Sequence, residues 1–396
     1  MATPHLRGTL RSPVDGAFAR MQETTYDVIV VGAGFAGVAC AHALARHRAR
    51  VCVIDRKRDL GERLHTTGIL VAEALLHPCL ARLPAPLMRA VPHARLYAPN
   101  LRSLLLAAPG YRFYTTDTPA LMRWLGEGLV DRGIALRLGT PFRDAVRVGE
   151  HWRLPGIGRA RWLVGADGAT SRVAARLGVG QVTDWLYGVE HEFDGVALRE
   201  PDALHCFISK HYAPGYIGWV AQTPTGVQAG LARRHLPGSA TVPDIDGFLR
   251  HTAAMTGLPA SRRPSSIRAG LIPCGGPVHP REREGLMLAG DAAGMVSPVT
   301  AGGIHAGLRH GSAVGEAIAH RLCHPGDGDL RVAADAVPAF RTKRALRWAF
   351  DRLQFDAPFD LAMRTPFMRR VAEQLYFHQR GHVVPGSVVG TPARHD

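Results

Sequence analysis

Three glycines, Gly32, Gly34 and Gly37, have the spacing that a phosphate-binding turn requires. They follow the apolar run Tyr26–Val31, which predicts a strand, and they open the stretch Phe35–Arg46, which predicts an amphipathic helix. Glycine allows a tight turn and a close backbone approach, so the free N–H groups of the first helical turn can face a pyrophosphate. These residues predict the binding of a dinucleotide.

A second predicted strand, Val51–Ile54, ends at Asp55, which lies 23 residues after Gly32. This is near the ~20-residue spacing at which a carboxylate accepts the hydroxyls of the adenosine ribose. The strand, helix and second strand form a complete unit, so a glycine-rich turn without a ligand is the less favoured alternative. The unit alone does not say which dinucleotide is bound.

Two later segments indicate FAD. Trp162–Val173 and Gly285–Gly294 are each predicted as a strand, a turn and the start of a helix. Asp291, at the end of its strand, can accept a hydrogen bond from a ribityl hydroxyl. Ser297–His305 then opens a helical pattern that reaches about His320, and the positive end of that helix would stabilise negative charge on a reduced flavin ring.

The predicted site residues lie in these segments and beside them. The predicted cofactor-binding residues are Gly32, Gly34, Phe35, Ala36, Gly37, Asp55, Arg56, Arg63, Asp167, Gly290, Asp291, Pro298, Gly302 and Gly303. Tyr216 and Trp219 are candidates for the cavity wall, and His65 and His305 are candidates for polar wall groups or proton donors, because histidine titrates near neutral pH. No residue is singled out as the catalytic acid. No Cys-x-x-Cys pair or cluster of histidines indicates a metal site.

On these motifs the chain resembles the geranylgeranyl reductase family, within the p-hydroxybenzoate hydroxylase-like superfamily of FAD-dependent oxidoreductases. The resemblance covers most of residues 25–335. The superfamily motifs are Gly32–Gly37, Gly165–Arg172 and Gly290–Gly294, and the stretches that point to the reductase branch are Ile272–Pro277 and Gly290–His305.

The resemblance implies an α/β fold: a Rossmann-like FAD-binding domain of the p-hydroxybenzoate hydroxylase type, with an antiparallel or mixed β-sheet substrate domain and C-terminal helices. Short strand-like runs within 180–280, and one helix near Ile245–Ala254, agree with such a sheet. The predicted division is a mobile extension at 1–24, an FAD-binding domain at 25–84, 116–179 and 281–332, a substrate domain at 85–115 and 180–280, and a C-terminal helical region at 333–396.

The resemblance implies reduction of a carbon–carbon double bond in a hydrophobic, isoprenoid-like substrate by hydride transfer from reduced flavin. The alternative is an FAD-dependent monooxygenase that hydroxylates or epoxidises a small hydrophobic or aromatic molecule. A flavin-dependent halogenase and a non-catalytic flavin-binding protein are weaker alternatives. NAD(P)H, bound transiently, or a redox protein would supply the electrons.

The chain departs from the pattern of the reductase family at three places, and from that of the aromatic hydroxylases at a fourth. Gly61–Gly68 contains no cysteine where the reductases often have one, and Thr118 stands where relatives frequently have arginine. Pro214–Gln222 only partly matches the motif Tyr-x-Trp-x-Phe-Pro, and His305 replaces the asparagine that aromatic hydroxylases often carry. The resemblance therefore supports the fold and the cofactor better than the substrate.

The composition is that of a globular enzyme, with 46% hydrophobic and 20% charged residues in 396. The net charge is +15, but lysine occurs only at Lys57, Lys210 and Lys343, and the arginines are spread along the chain without a basic arm. We therefore expect no nucleic-acid partner. The cysteines show no paired spacing, which favours reduced thiols in a cytoplasmic protein.

The sequence allows more than one interpretation near each terminus. Residues 1–24 have no apolar core of a secretion signal, and translation could start at Met1 or at Met21. Ala333–Leu353 and Phe367–Phe377 are predicted as amphipathic helices that pack on the FAD-binding domain or, alternatively, lie on a membrane as a peripheral contact. The identity of the substrate and the oligomeric state are not predicted.

Overall fold

The computed structural model describes residues 23–324, apart from 237, 239 and 240, and a smaller set beyond them. That set comprises residues 330, 333, 336–338, 340–352, 356, 365, 370, 373 and 377. The extension predicted at 1–24, including Met21, lies outside the described residues except for 23 and 24. Most of the predicted helix Phe367–Phe377 lies outside them as well.

A mixed sheet, eight-stranded within the described chain, carries the glycine-rich turn. Its order is β17-β18-β11-β1-β2-β8, and β10 joins β11 to β9. The strands are β1 (Thr25–Val31), β2 (Val51–Ile54), β8 (Ala135–Arg137), β9 (Val146–Val148), β10 (His151–Leu154), β11 (Gly158–Gly165), β17 (Glu282–Arg283) and β18 (Leu286–Leu288). Strands β18, β11, β1, β2 and β8 are parallel, so their carboxyl ends gather at one edge, where such sheets bind ligands.

A second mixed sheet has seven strands in the described residues, in the order β16-β12-β15-β14-β13-β5-β6, and only β13 and β5 are parallel. These strands are β5 (His93–Tyr97), β6 (Ser103–Ala107), β12 (Trp185–Asp194), β13 (Ala203–Phe207), β14 (Gly218–Gln222), β15 (Gly226–His235) and β16 (Ser266–Pro273). The predicted fold class, with a Rossmann-like unit and a mixed second sheet, is confirmed.

A small sheet consists of β3 (Leu70–Val71), β7 (Phe113–Thr116) and β4 (Met88–Val91). Its strands come from both sides of the predicted domain boundaries near 84 and 115, so it connects the two predicted domains. The boundaries themselves stay a prediction.

Helix α1 (Phe35–Arg46) packs lengthwise against α5 (Ile304–Cys323). The two backbones approach closely because α5 presents glycine: a Cβ on Gly311 would collide with the carbonyl oxygen of Ala36, and one on Gly315 would lie 2.6 Å from that of Cys40. The other α-helices with described bounds are α2 (Thr118–Val130), α3 (Arg172–Leu177), α4 (Ile245–Thr256) and α6 (Arg341–Arg352).

Two helix predictions need correction. The helix start predicted within Gly285–Gly294 is only a short 3₁₀ turn, because Gly290 and Gly294 adopt left-handed φ values of +61° and +71°. The predicted helix Ala333–Leu353 is interrupted, since residues 336–338 form a turn that ends at Pro338 and α6 follows it.

We expect Gly311→Ala to lower the free energy of unfolding by about 1–3 kcal/mol, because the added Cβ must push α5 away from α1. Gly128→Ala is the matched control, since its Cβ would meet only the end of the flexible Arg132 side chain. That control should be neutral or more stable by ~0.5–1 kcal/mol. Urea unfolding of both variants measures the difference, and equal stabilities would contradict the packing argument.

Candidate functional site

The three glycines of the first turn are required for different reasons. Gly32 has a φ of +104°, and a Cβ on Gly37 would collide with the carbonyl oxygen of Gly32. The folded backbone therefore requires glycine at both positions, whether or not a ligand is bound. Gly34 has an ordinary φ of −77°, and a Cβ there would meet no protein atom within 4 Å. The open space in front of Gly34 therefore fits a ligand backbone such as a pyrophosphate.

The amino end of α1 faces this space. Gly34 is its N-cap and supplies no side-chain acceptor for the first N–H groups of the helix. Phe35 and Ala36 line the same cavity. Unsatisfied N–H groups and the helix dipole both favour an anionic ligand, so the residues present fit the phosphates of a dinucleotide.

Asp55 holds the turn in shape. One carboxylate oxygen accepts a hydrogen bond from the Ala33 amide at 2.8 Å, and the other accepts one from the Lys57 amide at 2.8 Å. Each oxygen keeps a further lone pair, so Asp55 can still accept ribose hydroxyls. The carboxylate thus joins the end of β2 to the glycine-rich turn while lining the cavity.

Asp291 is the carboxylate that the fold leaves for a ligand. No described residue donates a hydrogen bond to its side chain, and burial raises its pKa to about 6. A Cβ on Gly303 would lie 3.2 Å from Oδ1 of Asp291, so glycine leaves room for the carboxylate beside the start of α5. An unpartnered acceptor in the cavity wall fits a ribityl hydroxyl of FAD.

His310 supports the Asp291 turn from behind. Its Nδ1 accepts the Gly290 amide hydrogen at 3.3 Å, which requires a ring that is not protonated at that nitrogen. Burial lowers the pKa of His310 to about 4, so the ring is neutral at physiological pH. Sequence analysis missed this residue, because a histidine within a predicted helix carries no signal for its partner.

Asp167 has a structural partner set that the sequence did not indicate. Its carboxylate accepts hydrogen bonds from the Ser171 hydroxyl at 2.6 Å and from the amides of Arg172 and Val173 at 2.7 and 3.1 Å. It therefore caps α3, although it also lines the cavity. Its binding to the cofactor stays a prediction.

One cavity of about 1120 Å³ joins the glycine-rich turn to the seven-stranded sheet. It brings together most of the predicted residues: Gly32, Gly34, Phe35, Ala36, Asp55, Arg56, Asp167, Asp291, Gly302 and Gly303, with His65, Tyr216, Trp219 and His305. Gly37, Arg63, Gly290 and Pro298 do not line it. Gly37 faces the turn, Gly290 faces the side chain of Ala36, Arg63 is exposed, and Pro298 is buried.

Three of the candidate residues of the cavity wall already form hydrogen bonds within the protein. The Tyr216 hydroxyl donates to the carbonyl oxygen of Thr300 at 2.6 Å, and the Trp219 indole donates to Glu190 at 2.9 Å. Nδ1 of His65 lies 2.8 Å from the carbonyl oxygen of Ala269, so Nε2 is the nitrogen left for a ligand. Tyr216 thus connects the sheet to the loop before α5 and does not present a free donor hydrogen.

Comparison with known proteins identifies the nucleotide-binding parts. Residues 30–97 match the NAD(P)-binding Rossmann-like domain, and residues 146–336 match the FAD binding domain. Digeranylgeranylglycerophospholipid reductase 2 of Methanopyrus kandleri is 28% identical over 75% of this chain and 78% of its own length. The reductase of that name from Methanocaldococcus jannaschii is 23% identical over 74% and 76%.

A solved structure shows the same fold. The geranylgeranyl bacteriochlorophyll reductase-like protein of Thermoplasma acidophilum superimposes with a TM-score of 0.75 at 17% identity, over 90% of this chain and 97% of its own. The predicted resemblance and the predicted cofactor, FAD, are confirmed by these comparisons. Within the described residues, no group of three or more His, Cys, Asp and Glu side chains could hold a metal ion.

We expect Gly34→Val to give a folded protein without flavin, because the new side chain fills only the ligand space. Gly37→Val should instead prevent the turn from closing and should lower the thermal stability of the protein even without FAD. Absorbance of the bound flavin and the melting temperature of the free protein separate the two effects. A yellow Gly34→Val protein would contradict the assignment of this space.

We expect the Kd for FAD to rise as the pH falls below about 6, because Asp291 must be ionised to accept its best hydrogen bond. The stability of the flavin-free protein depends on pH in the opposite direction. The pKa of Asp291 in the folded protein lies above the ordinary aspartate value of 3.8, so the contribution of Asp291 to stability declines as the pH rises from about 4 to about 6.

Asp291→Asn is the matched variant. It should bind FAD about 10- to 150-fold more weakly at neutral pH, which corresponds to the loss of ~1.5–3 kcal/mol for a hydrogen bond to a charged group. Its Kd should not change between pH 5 and 7. Fluorescence titration with FAD at several pH values tests this, and a pH-independent Kd of the unaltered protein would refute it.

Proposed function

We propose that this chain, an FAD-dependent oxidoreductase of the geranylgeranyl reductase family, reduces a carbon–carbon double bond in an isoprenoid-like lipid. One observation of the structure carries the proposal. The cavity that begins at the glycine-rich turn continues into an apolar chamber between the seven-stranded and three-stranded sheets. A hydrocarbon chain would lose contact with water there, which favours its binding.

The chamber wall is built from alternate residues of several strands. Leu96 comes from β5, Leu204 and Cys206 come from β13, and Val71 and Phe113 come from β3 and β7. Leu204 and Cys206 are two residues apart, so both side chains point to the same face of the strand. Of these four strands, only the region of β13 was among the strand-like runs predicted within 180–280, and the face that borders the cavity was not predicted.

Bound FAD would supply the hydride, and the chain would orient the substrate and exclude water from it. The positive end of α5, at Gly303, would stabilise negative charge in the cofactor ring. The second carbon of the double bond needs a proton. His65 and His305, which line the cavity, are the candidates for holding it.

The source of electrons is part of the proposal. The glycine-rich turn would accommodate the adenosine half of FAD, so NAD(P)H would bind transiently elsewhere on the chain, or a redox protein would deliver the electrons instead. A cytoplasmic location agrees with both donors.

The proposal includes contact with a membrane surface through α6. Its Trp348 side chain is 59% exposed, whereas the neighbouring Arg347 is 5% exposed. Arg347 is buried because its guanidinium donates to Asp351 at 2.7 Å, and Asp351 also pairs with Arg234. Lys343 and Phe350 of the same helix line the cavity, so a lipid could pass from a membrane into the chamber beside α6.

No helix within the described residues is long and apolar enough to cross a membrane. A contact through α6 would therefore lie on the surface and would depend on the exposed indole and the basic side chains around it. Arg352 lies 4.5 Å from the ring centre of Trp348, and Arg341 and Arg344 are exposed.

We expect anaerobic turnover of a geranylgeranyl lipid to continue while a reductant is supplied, with a product that gains two hydrogens per double bond. Mass spectrometry of the product and oxygen consumption are the measurements, with Gly34→Val as the flavin-free control. Strictly oxygen-dependent turnover, with an oxygen atom in the product, would replace the reductase by the monooxygenase and leave the FAD site unaffected.

We expect the protein to sediment with phosphatidylglycerol vesicles more than with phosphatidylcholine vesicles. Arg341→Gln combined with Trp348→Ala should lower partitioning about tenfold, since each basic residue near an anionic surface contributes ~1 kcal/mol. Arg176→Gln on the exposed side of α3 is the control for charge alone. Equal binding of both variants to anionic vesicles would contradict a contact through α6.

A further inference from the structure

A row of residues crosses four strands of the seven-stranded sheet beside the cavity. Trp219 of β14 lies opposite Gly230 of β15, which lies opposite Glu190 of β12, and Glu190 lies opposite Arg268 of β16. Residues directly opposite one another share one face of a sheet. We call these four residues the Trp219–Arg268 row.

Gly230 leaves the space through which the Trp219 side chain reaches Glu190. A Cβ at this position would lie 2.7 Å from Cε2 of the Trp219 ring, so only glycine leaves space for the indole to extend across β15. The indole N–H then reaches the far strand and donates to Oε2 of Glu190 at 2.9 Å. The position of the aromatic ring is therefore set by a residue two strands away.

Arg268 holds the other side of Glu190. Its Nη1 lies 3.3 Å from Oε1 of Glu190, and its Nη2 lies 2.5 Å from Oε1 of Glu192. Arg268 and Glu190 are 7% and 4% exposed. Buried ion pairs of this kind contribute little net stability, because desolvation offsets their attraction, but they can specify one arrangement of the groups that they join.

Both ends of the row reach the cavity wall. Trp219 lines the cavity, and Nη1 of Arg268 also donates to the carbonyl oxygen of Thr66 at 3.0 Å. Thr66 lies beside His65 in the segment that lines the cavity from the FAD-binding side. The row thus connects the aromatic wall to the opposite wall through hydrogen bonds and ion pairs only.

We propose that Glu190 and Arg268 are positioning residues, which hold the Trp219 ring and the His65–Thr67 segment in one relative geometry and thereby determine which hydrophobic substrates fit between them. The inference rests on the proposed function for the nature of the substrate. It does not require Glu190 or Arg268 to touch substrate or flavin.

Three variants test how Glu190 acts. Glu190→Ala should lower kcat/KM about tenfold, since misplacement of a substrate-contacting group is costly. Glu190→Gln keeps an acceptor for the indole and should stay within about twofold of the unaltered enzyme. Trp219→Phe should match Glu190→Ala, and the double variant Glu190→Ala/Trp219→Phe should lose no more than about twofold beyond either single change.

Gly230→Ala and Glu200→Ala complete the design. Gly230→Ala displaces the indole without altering any charge, so it should reproduce the loss of Trp219→Phe. Glu200 pairs with Arg95 at 2.7 Å on the same sheet but does not line the cavity, so Glu200→Ala controls for loss of a sheet ion pair. Fully additive losses, or equal losses in Glu190→Gln and Glu190→Ala, would overturn the proposal.

A measurement without substrate separates this inference from the proposed function. The fluorescence of Trp219, taken as the difference between the unaltered holoenzyme and Trp219→Phe, should shift in Glu190→Ala and not in Glu190→Gln. If no isoprenoid is turned over but this shift occurs, the proposed function fails and the positioning role stands. An unchanged spectrum in Glu190→Ala would refute the role even in an active reductase.

Discussion

Close approach of backbones around α1 is the constraint on which the site depends. The first turn of this helix is enclosed by the Gly32 turn, by Gly290 and by α5, and each of these contacts excludes a side chain. Because β1, β11 and β18 are parallel neighbours, their loops converge on this point. The same packing places the amino ends of α1 and α5 on one cavity, so two helix dipoles act on one anionic cofactor.

The sequence allowed the first βαβ unit to be predicted to within one residue, because glycine spacing and apolar periodicity are local signals. The helix start predicted within Gly285–Gly294 was wrong, since the left-handed conformations at Gly290 and Gly294 follow from packing against Ala36 and Gly276. Most predicted site residues do line one cavity. The Trp219–Arg268 row could not be predicted, because its residues are far apart in sequence and only strand pairing makes them neighbours.

Two of the departures from the family pattern, the segment Gly61–Gly68 and Thr118, lie together in the structure. The segment without the cysteine is held at Thr66 by Arg268, and at Gly68 by a hydrogen bond from the Thr116 hydroxyl to its carbonyl oxygen at 2.9 Å. Thr118, which stands where relatives often have arginine, is fully buried. Its hydroxyl oxygen lies 3.1 Å from that of Thr116. This part of the wall is therefore held by neutral hydroxyls on one side and by a buried arginine on the other.

The order of the chain has a consequence for biosynthesis. The turn at residues 32–37 is synthesised before Gly290 and Gly311, which pack against α1 and follow the turn by more than 250 residues. Strand β18 and helix α5 must therefore be synthesised before the nucleotide-binding edge is complete. Until then the apolar side of α1 lacks its partner and is exposed to aggregation. Flavin binding at this edge would therefore follow the synthesis of β18 and α5.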